Sequence, residues 1–299
     1  MSSRVETIVN SRKSNIGFLI LAGCVLCSGS AAAHQEGANF SGAIIEPLRV
    51  HHAHIEDEQR LNLGGVGGLR TENGKRGAFD SSIELAAAWD SDFRFGSEIF
   101  IPFSNTGNDS DDFELGDIEL WPIKVAIVNR PETIFTGVLS IVLPTGRESR
   151  GFGTGETVLG GLLFFDQAYK NWFFGLNGEI EGSVTGPRET EAELAAVISY
   201  SFIQGTTEMA PTVPNQRFVP ALSLELVSNF GIQGEEEGEK SLSVIPGVHL
   251  WHPSSGWAVR VGVDVPVTSD PDRDFTVLLQ IGRHFDWSKV SRSLKNWVN

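Results

Sequence analysis

His51-His52-Ala53-His54, with Glu56, Asp57 and Glu58 close behind, is the one concentrated set of metal-ligand side chains in this 299-residue chain. Imidazole nitrogens suit zinc, copper or nickel, and carboxylates complete such sites. Alternate side chains of an extended segment share a face, so His52 and His54 point the same way, which permits chelation without requiring it. One expectation is therefore a copper or zinc site at His51, His52 and His54. The other is a solvated polar segment and no cofactor.

Catalytic chemistry finds less support. There is no GxSxG elbow, Walker loop or zinc-protease helix, and no serine and histidine pair that spacing alone would single out. His249 and His284 stand singly, and a lone histidine is usually structural. No enzyme is expected. A second group of charges is more informative: Glu84, Arg94, Glu98, Glu119, Lys124, Glu179, Glu181, Glu225, Arg260 and Asp264 lie one at a time within segments that are otherwise apolar or small. Such charges suit the wall of a hydrated lumen. Acids outnumber bases among them, so an open pore would favour cations or neutral solutes. In a closed barrel they would instead pair across the lumen and stabilise it. Glu119 and Lys124 differ in parity, so both face inward only if a bulge near Pro122 shifts the register.

These charges need extended elements to hold them. After residue 58 the chain repeats segments of about ten residues with every second side chain apolar, separated by turn clusters. Phe79, Ile83, Leu85, Ala87 and Trp89 form one such face, and Leu194, Ala196, Ile198, Tyr200 and Phe202 another. The pattern predicts about twelve strands, near 59–71, 77–90, 93–103, 113–128, 132–144, 157–166, 171–184, 190–203, 217–230, 240–251, 256–266 and 274–287. With both termini on one side, alternate connections should be short inner turns and the others longer outer loops. The acid-rich stretches 104–112, 145–156 and 234–240 fall outside, where they can meet divalent cations of lipopolysaccharide, although a solvated loop is the plainer account. One inner connection, Gln204 to Gln216, is too long for this scheme. Aromatics near strand ends, including Trp89, Phe103, Trp121, Trp172, Phe202, Trp251, Trp257, Phe285 and Trp287, are candidates for interfacial girdles.

A soluble β-sandwich would also alternate, so the compartment rests on the leader. Arg4, Arg12 and Lys13 precede an apolar run from Ile16 to Cys27, and Ala31-Ala32-Ala33 offers a small-residue cleavage site. Cleavage after Ala33 is preferred; the rival is acylation of Cys24 in Leu21-Ala22-Gly23-Cys24. Both cysteines, Cys24 and Cys27, lie in the leader, so a chain cut after Ala33 uses no disulfide. Such a cut would also expose His34 as a new N-terminus, where amine and imidazole together can hold copper. The leader carries three basic residues and one acidic, so its removal takes the formal charge from −15 to −17. No nucleic-acid partner is implied.

Val138-Leu139-Ser140-Ile141-Val142-Leu143-Pro144-Thr145-Gly146, followed by Gly151, Gly153 and Gly155, resembles the hallmark of the transporter-like outer-membrane β-barrel family named after the meta pathway of phenol degradation. Gly116-Asp117-Ile118-Glu119-Leu120 with Lys124, Pro246-Gly247, Gly256-Trp257 and the closing strand at 275–285 are similar to that family as well. The resemblance covers residues 60 to 287. It implies an outer-membrane barrel passing small hydrophobic or aromatic compounds, and no catalytic residues.

The expected organisation is a signal peptide (1–33), a periplasmic N-terminal segment (34–58), an all-β antiparallel transmembrane barrel (59–287) and a C-terminal tail (288–299). The expected function is passive passage of a small solute through the outer membrane of a Gram-negative envelope, in contact with lipid and lipopolysaccharide. The alternative is a closed barrel with a metal-binding or envelope-structural role at the periplasmic rim.

Overall fold

The computed structural model describes residues 47–284, apart from 72–73, 106–111, 204–217, 236, 253–254 and 269–272. The leader, His34, the long connection at 204–216 and the tail all lie outside the described residues. So do the girdle candidates Phe285 and Trp287.

Thirteen strands follow one another along the chain: β1 (Glu58–Thr71), β2 (Gly74–Ala88), β3 (Phe95–Ser104), β4 (Glu114–Leu115), β5 (Ile118–Arg130), β6 (Thr133–Leu143), β7 (Val158–Tyr169), β8 (Trp172–Ser183), β9 (Thr190–Ser201), β10 (Val219–Gln233), β11 (Lys240–His252), β12 (Trp257–Pro266) and β13 (Phe275–His284). Consecutive strands pair antiparallel, except that β3 pairs with both β4 and β5, and β1 also pairs with β13, from Glu58 opposite His284 to Gly67 opposite Phe275. The sheet therefore closes on itself. β4 and β5 form one stave interrupted at Gly116 and Asp117, so the wall is a closed antiparallel barrel of twelve staves, as the alternation predicts. Closure leaves no unpaired sheet edge.

Alternation sorts the side chains. Leu163, Leu176, Leu194, Leu224 and Val248 are exposed on the outer face, while Phe164, Phe173, Ser199, Glu225 and Arg260 are buried on the inner one. Aromatics gather at both rims of the outer face. Trp172 meets Tyr200 edge-on at 4.9 Å, and Tyr200 meets Phe202 at 5.5 Å. At the other rim Phe113 lies 6.2 Å from Phe79 and 5.9 Å from Phe103. Trp121 and Trp251 depart from the girdle expectation, because both are buried inside.

The reason for Trp121 is a bulge. Opposite β6, Leu120 pairs with Ile141 and Ile123 with Leu139, so Trp121 and Pro122 together face Ser140. The extra residue resets parity, which puts Glu119, Trp121 and Lys124 all inside.

The hallmark stretch forms a clasp at the loop rim. Asp117 accepts hydrogen bonds from Gly146 N (2.8 Å) and Thr154 N (2.7 Å), and Thr145 Oγ1 bonds Gly116 O (3.0 Å) and Ile118 N (2.9 Å). A Cβ at Gly153 would meet Asp117 Oδ1, so glycine is what lets the loop approach this closely. Asp117→Ala is expected to cost roughly 2 kcal/mol of loop order, three solvent-accessible bonds to its carboxylate being lost, the third from Thr154 Oγ1 at 3.2 Å. Limited proteolysis should then cut within 144–157 while the barrel stays intact.

Candidate functional site

Residues 47–57 run inside the barrel. The sequence places 34–58 in the periplasm, yet Leu48, Val50, Ala53, Ile55 and Glu56 are buried against the inner wall, and the segment passes directly into β1 at Glu58. Its backbone lies outside any strand and bends at residues 48–50 and 53, so its N–H and C=O groups need partners from the wall. Glu225, the single charge among the inward residues of β10, supplies three: Leu48 N at 2.7 Å, Arg49 N at 2.8 Å and Val50 N at 2.9 Å. Asp166 on β7 accepts from Ala53 N at 2.7 Å, Thr136 Oγ1 on β6 donates to Ala53 O, and Gln280 Nε2 on β13 donates to Leu48 O at 2.6 Å. Asp57 accepts from Ala88 N at 2.8 Å. The segment is thus pinned to five staves.

Small wall residues make room for it. A Cβ at Gly262 would collide with Leu48, one at Gly247 would sit 2.9 Å from the same methyl, and one at Gly96 would sit 2.6 Å from Ile55 Cγ2. Each is tighter than side chains tolerate without shifting.

Above the segment, towards the longer loops, lies a cavity of about 660 Å³. Leu48, Arg49, Val50 and His51 belong to its lining, as do Asp80, Glu84, Asp117, Glu119, Glu179, Glu193 and Asp264. These seven acids face three bases, Arg49, Arg60 and Arg273, so acidic side chains predominate in the vestibule lining. On β8 and β9, Glu179 stands directly opposite Glu193, and Glu181 opposite Glu191. Like charges in register cost stability in a sheet, so packing alone does not account for them.

Most other predicted wall charges are paired. Lys124 Nζ bonds Glu98 at 2.6 Å, Arg60 bridges Glu58 at 2.6 Å and Glu84 at 3.2 Å, Arg273 reaches Asp264 at 2.8 Å, and Arg260 lies 3.7 Å from Glu58. Glu119 accepts from Trp121 Nε1 at 2.5 Å and Ser140 Oγ at 2.8 Å. Arg94 differs from the expectation. It sits exposed in the turn before β3, because the alternating pattern overruns the strand by two residues.

The three histidines do not act together. His51 lies among Trp121 (4.7 Å), Phe164 (5.5 Å) and Phe100 (5.9 Å) at the vestibule floor. Burial first, then Lys124, Arg60 and Arg49, hold its pKa down to about 3, so it stays neutral. His52 and His54 stack at 3.8 Å on the other face of the segment, and Glu56 joins them: His52 Nε2 and His54 Nε2 lie 3.1 and 3.2 Å from Glu56 Oε1. Burial and the His54 charge push His52 well down. For His54 burial also opposes protonation, but the carboxylates of Glu56 and Asp166 outweigh it and raise the pKa to about 9. The sequence reveals that His52 and His54 share a face, and the same alternation extends to Glu56. The anchors Glu225, Asp166, Thr136 and Gln280 carry no comparable signal, since nothing in a strand says which inward polar group meets another segment.

No protein-family model matches the chain, and no curated protein does. Among solved structures, the NanC porin superposes with a TM-score of 0.48 at 10% identity, over 76% of this chain and 99% of that one. An outer-membrane channel from Pseudomonas putida F1 superposes with a TM-score of 0.52 at 13% identity, over 81% of this chain and 100% of that one. This second likeness concerns the fold: the chain is a closed, twelve-stranded antiparallel β-barrel of the kind found in that channel.

Proposed function

We propose that the protein is an outer-membrane channel for small solutes whose resting state is closed by residues 47–57. One observation carries this reading: an acid-lined cavity of about 660 Å³ ends on a segment whose described contacts with the wall are hydrogen bonds, ion pairs and packing. A purely structural barrel has no need of such a cavity or of glutamates in register. Passage requires the segment to leave its anchors. The acidic vestibule favours cationic or neutral solutes, and His51 with Phe100 at its floor offers a ring surface on which an aromatic solute can stack. The resemblance of the 138–146 stretch to the meta-pathway barrel family supports the same solute class.

The membrane part of the proposal rests on the outer face. Leu163 and Leu176 are 52% and 54% exposed. If this face meets lipid, Leu163→Arg is expected to cost about 2–4 kcal/mol in vesicle refolding, and close to nothing if it meets water.

Planar-bilayer recording under a salt gradient tests the channel. Wild type should give brief, infrequent steps whose reversal potential lies on the cation side. Silence from wild type and from a variant that frees the segment would overturn the proposal.

A further inference from the structure

We propose that His52, His54 and Glu56 form a binding site for one divalent transition-metal ion inside the barrel. The inference stands apart from the channel reading, because it concerns the buried side of the segment rather than the vestibule. The three residues follow at spacings of two, and the backbone, which bends at Ala53, brings their side chains together, with the His52 and His54 rings stacked at 3.8 Å beside Glu56. All are buried, at 6%, 2% and 2% exposure, and their ligand atoms lie within 4.8 Å of one another.

The spacing fits a metal site as well as it fits an ion pair. With bonds of about 2.0–2.2 Å, ligand atoms of a tetrahedral site stand about 3.3 Å apart. The two imidazole nitrogens lie 3.1 and 3.2 Å from one oxygen of Glu56. His52 Nε2 makes no hydrogen bond despite its burial and its nearness to that oxygen. Buried polar atoms are nearly always satisfied, and an ion between the three would satisfy this one. Two imidazoles and a carboxylate suit zinc, copper or nickel, whereas calcium and magnesium prefer oxygen alone.

The surroundings hold the ligands in place. Asp166 Oδ2 lies 3.7 Å behind His54 Nδ1, the place where metal-bound imidazoles usually have a carboxylate. His284 Nδ1 lies 2.7 Å from Glu56 Oε2, leaving Oε1 for the ion. Between the histidines, the Ala53 backbone is fixed on both sides by Asp166 and Thr136. His51 is no ligand, since its ring belongs to the aromatic cluster on the other side.

The test uses the full, untagged, folded protein, stripped with a chelator and dialysed against zinc. Wild type and His51→Ala should each retain one equivalent by elemental analysis. His52→Ala and Glu56→Gln should weaken retention at least about tenfold, and Asp166→Asn about 10–100-fold through loss of orientation. Cobalt provides a check on wild type alone: intense visible bands mark a low-coordinate site with nitrogen ligands, whereas a pale octahedral spectrum overturns the proposal. Absence of retained zinc in wild type, or equal retention in folded His52→Ala and Glu56→Gln, overturns it as well.

Discussion

Replacing Glu225 with alanine is expected to turn a mostly closed barrel into a conducting one. Among the described residues its carboxylate is the sole wall acceptor for the three successive N–H groups of Leu48, Arg49 and Val50, all at 2.9 Å or less. Each donor left buried without an acceptor costs about 1–3 kcal/mol, and the segment can recover that energy by moving into water. A loss on the order of 4 kcal/mol shifts the balance between seated and released segment by roughly 10³-fold. The wall itself should persist, because its ladders do not involve the Glu225 side chain. Single-channel recording should therefore show long openings where wild type shows rare ones, with unchanged gel mobility of the folded form. Gly262→Val supplies an independent route, since a side chain there occupies the place of Leu48 without altering charge. Long openings in both variants tie conduction to the segment. Closed behaviour in both would mean that the lumen is obstructed elsewhere.

The second large effect concerns stability. Lys124 and Glu98 are 1% and 7% exposed and meet at 2.6 Å, with the ammonium also 5.6 Å from the Trp121 ring. Lys124→Met leaves the Glu98 carboxylate buried without its partner. Breaking such a pair from one side typically costs about 3–5 kcal/mol, whereas replacing both partners by apolar groups is often near neutral. Urea unfolding in vesicles should place Lys124→Met well below wild type, and Glu98→Leu with Lys124→Met most of the way back. Equal losses in the single and double variants would show that the charge pair is not the source of the effect.

How much of this is legible in the chain follows from what alternation encodes. Strand positions and faces could be read because one face is apolar and the side-chain period is two. Even the bulge at Trp121 and Pro122 was foreshadowed by the clashing parities of Glu119 and Lys124. Arg94 falls just outside β3 because alternation does not announce where a strand stops. Trp121 and Trp251 lie inside rather than at a rim because an aromatic at a strand end suits both places equally well. The buried course of residues 47–57 was hidden for a deeper reason. Its polar residues look solvated until Glu225, Asp166 and Gln280, each more than a hundred residues away, are brought around them. Local pattern carries no information on such pairings.

The same distances govern assembly. The bond from Gln280 to Leu48 joins residues 232 apart, and the β1–β13 seam joins Glu58 to His284. Neither can form until the last strand has been made, so these are the contacts with the greatest loop-closure cost and the latest to be rewarded. β1 can pair with β2 early, but its other edge waits for the last strand of the wall. A chain stopped before β13 would lack both the seam and one of its plug anchors, and closure of the wall and seating of the segment should appear in refolding as a single slow event.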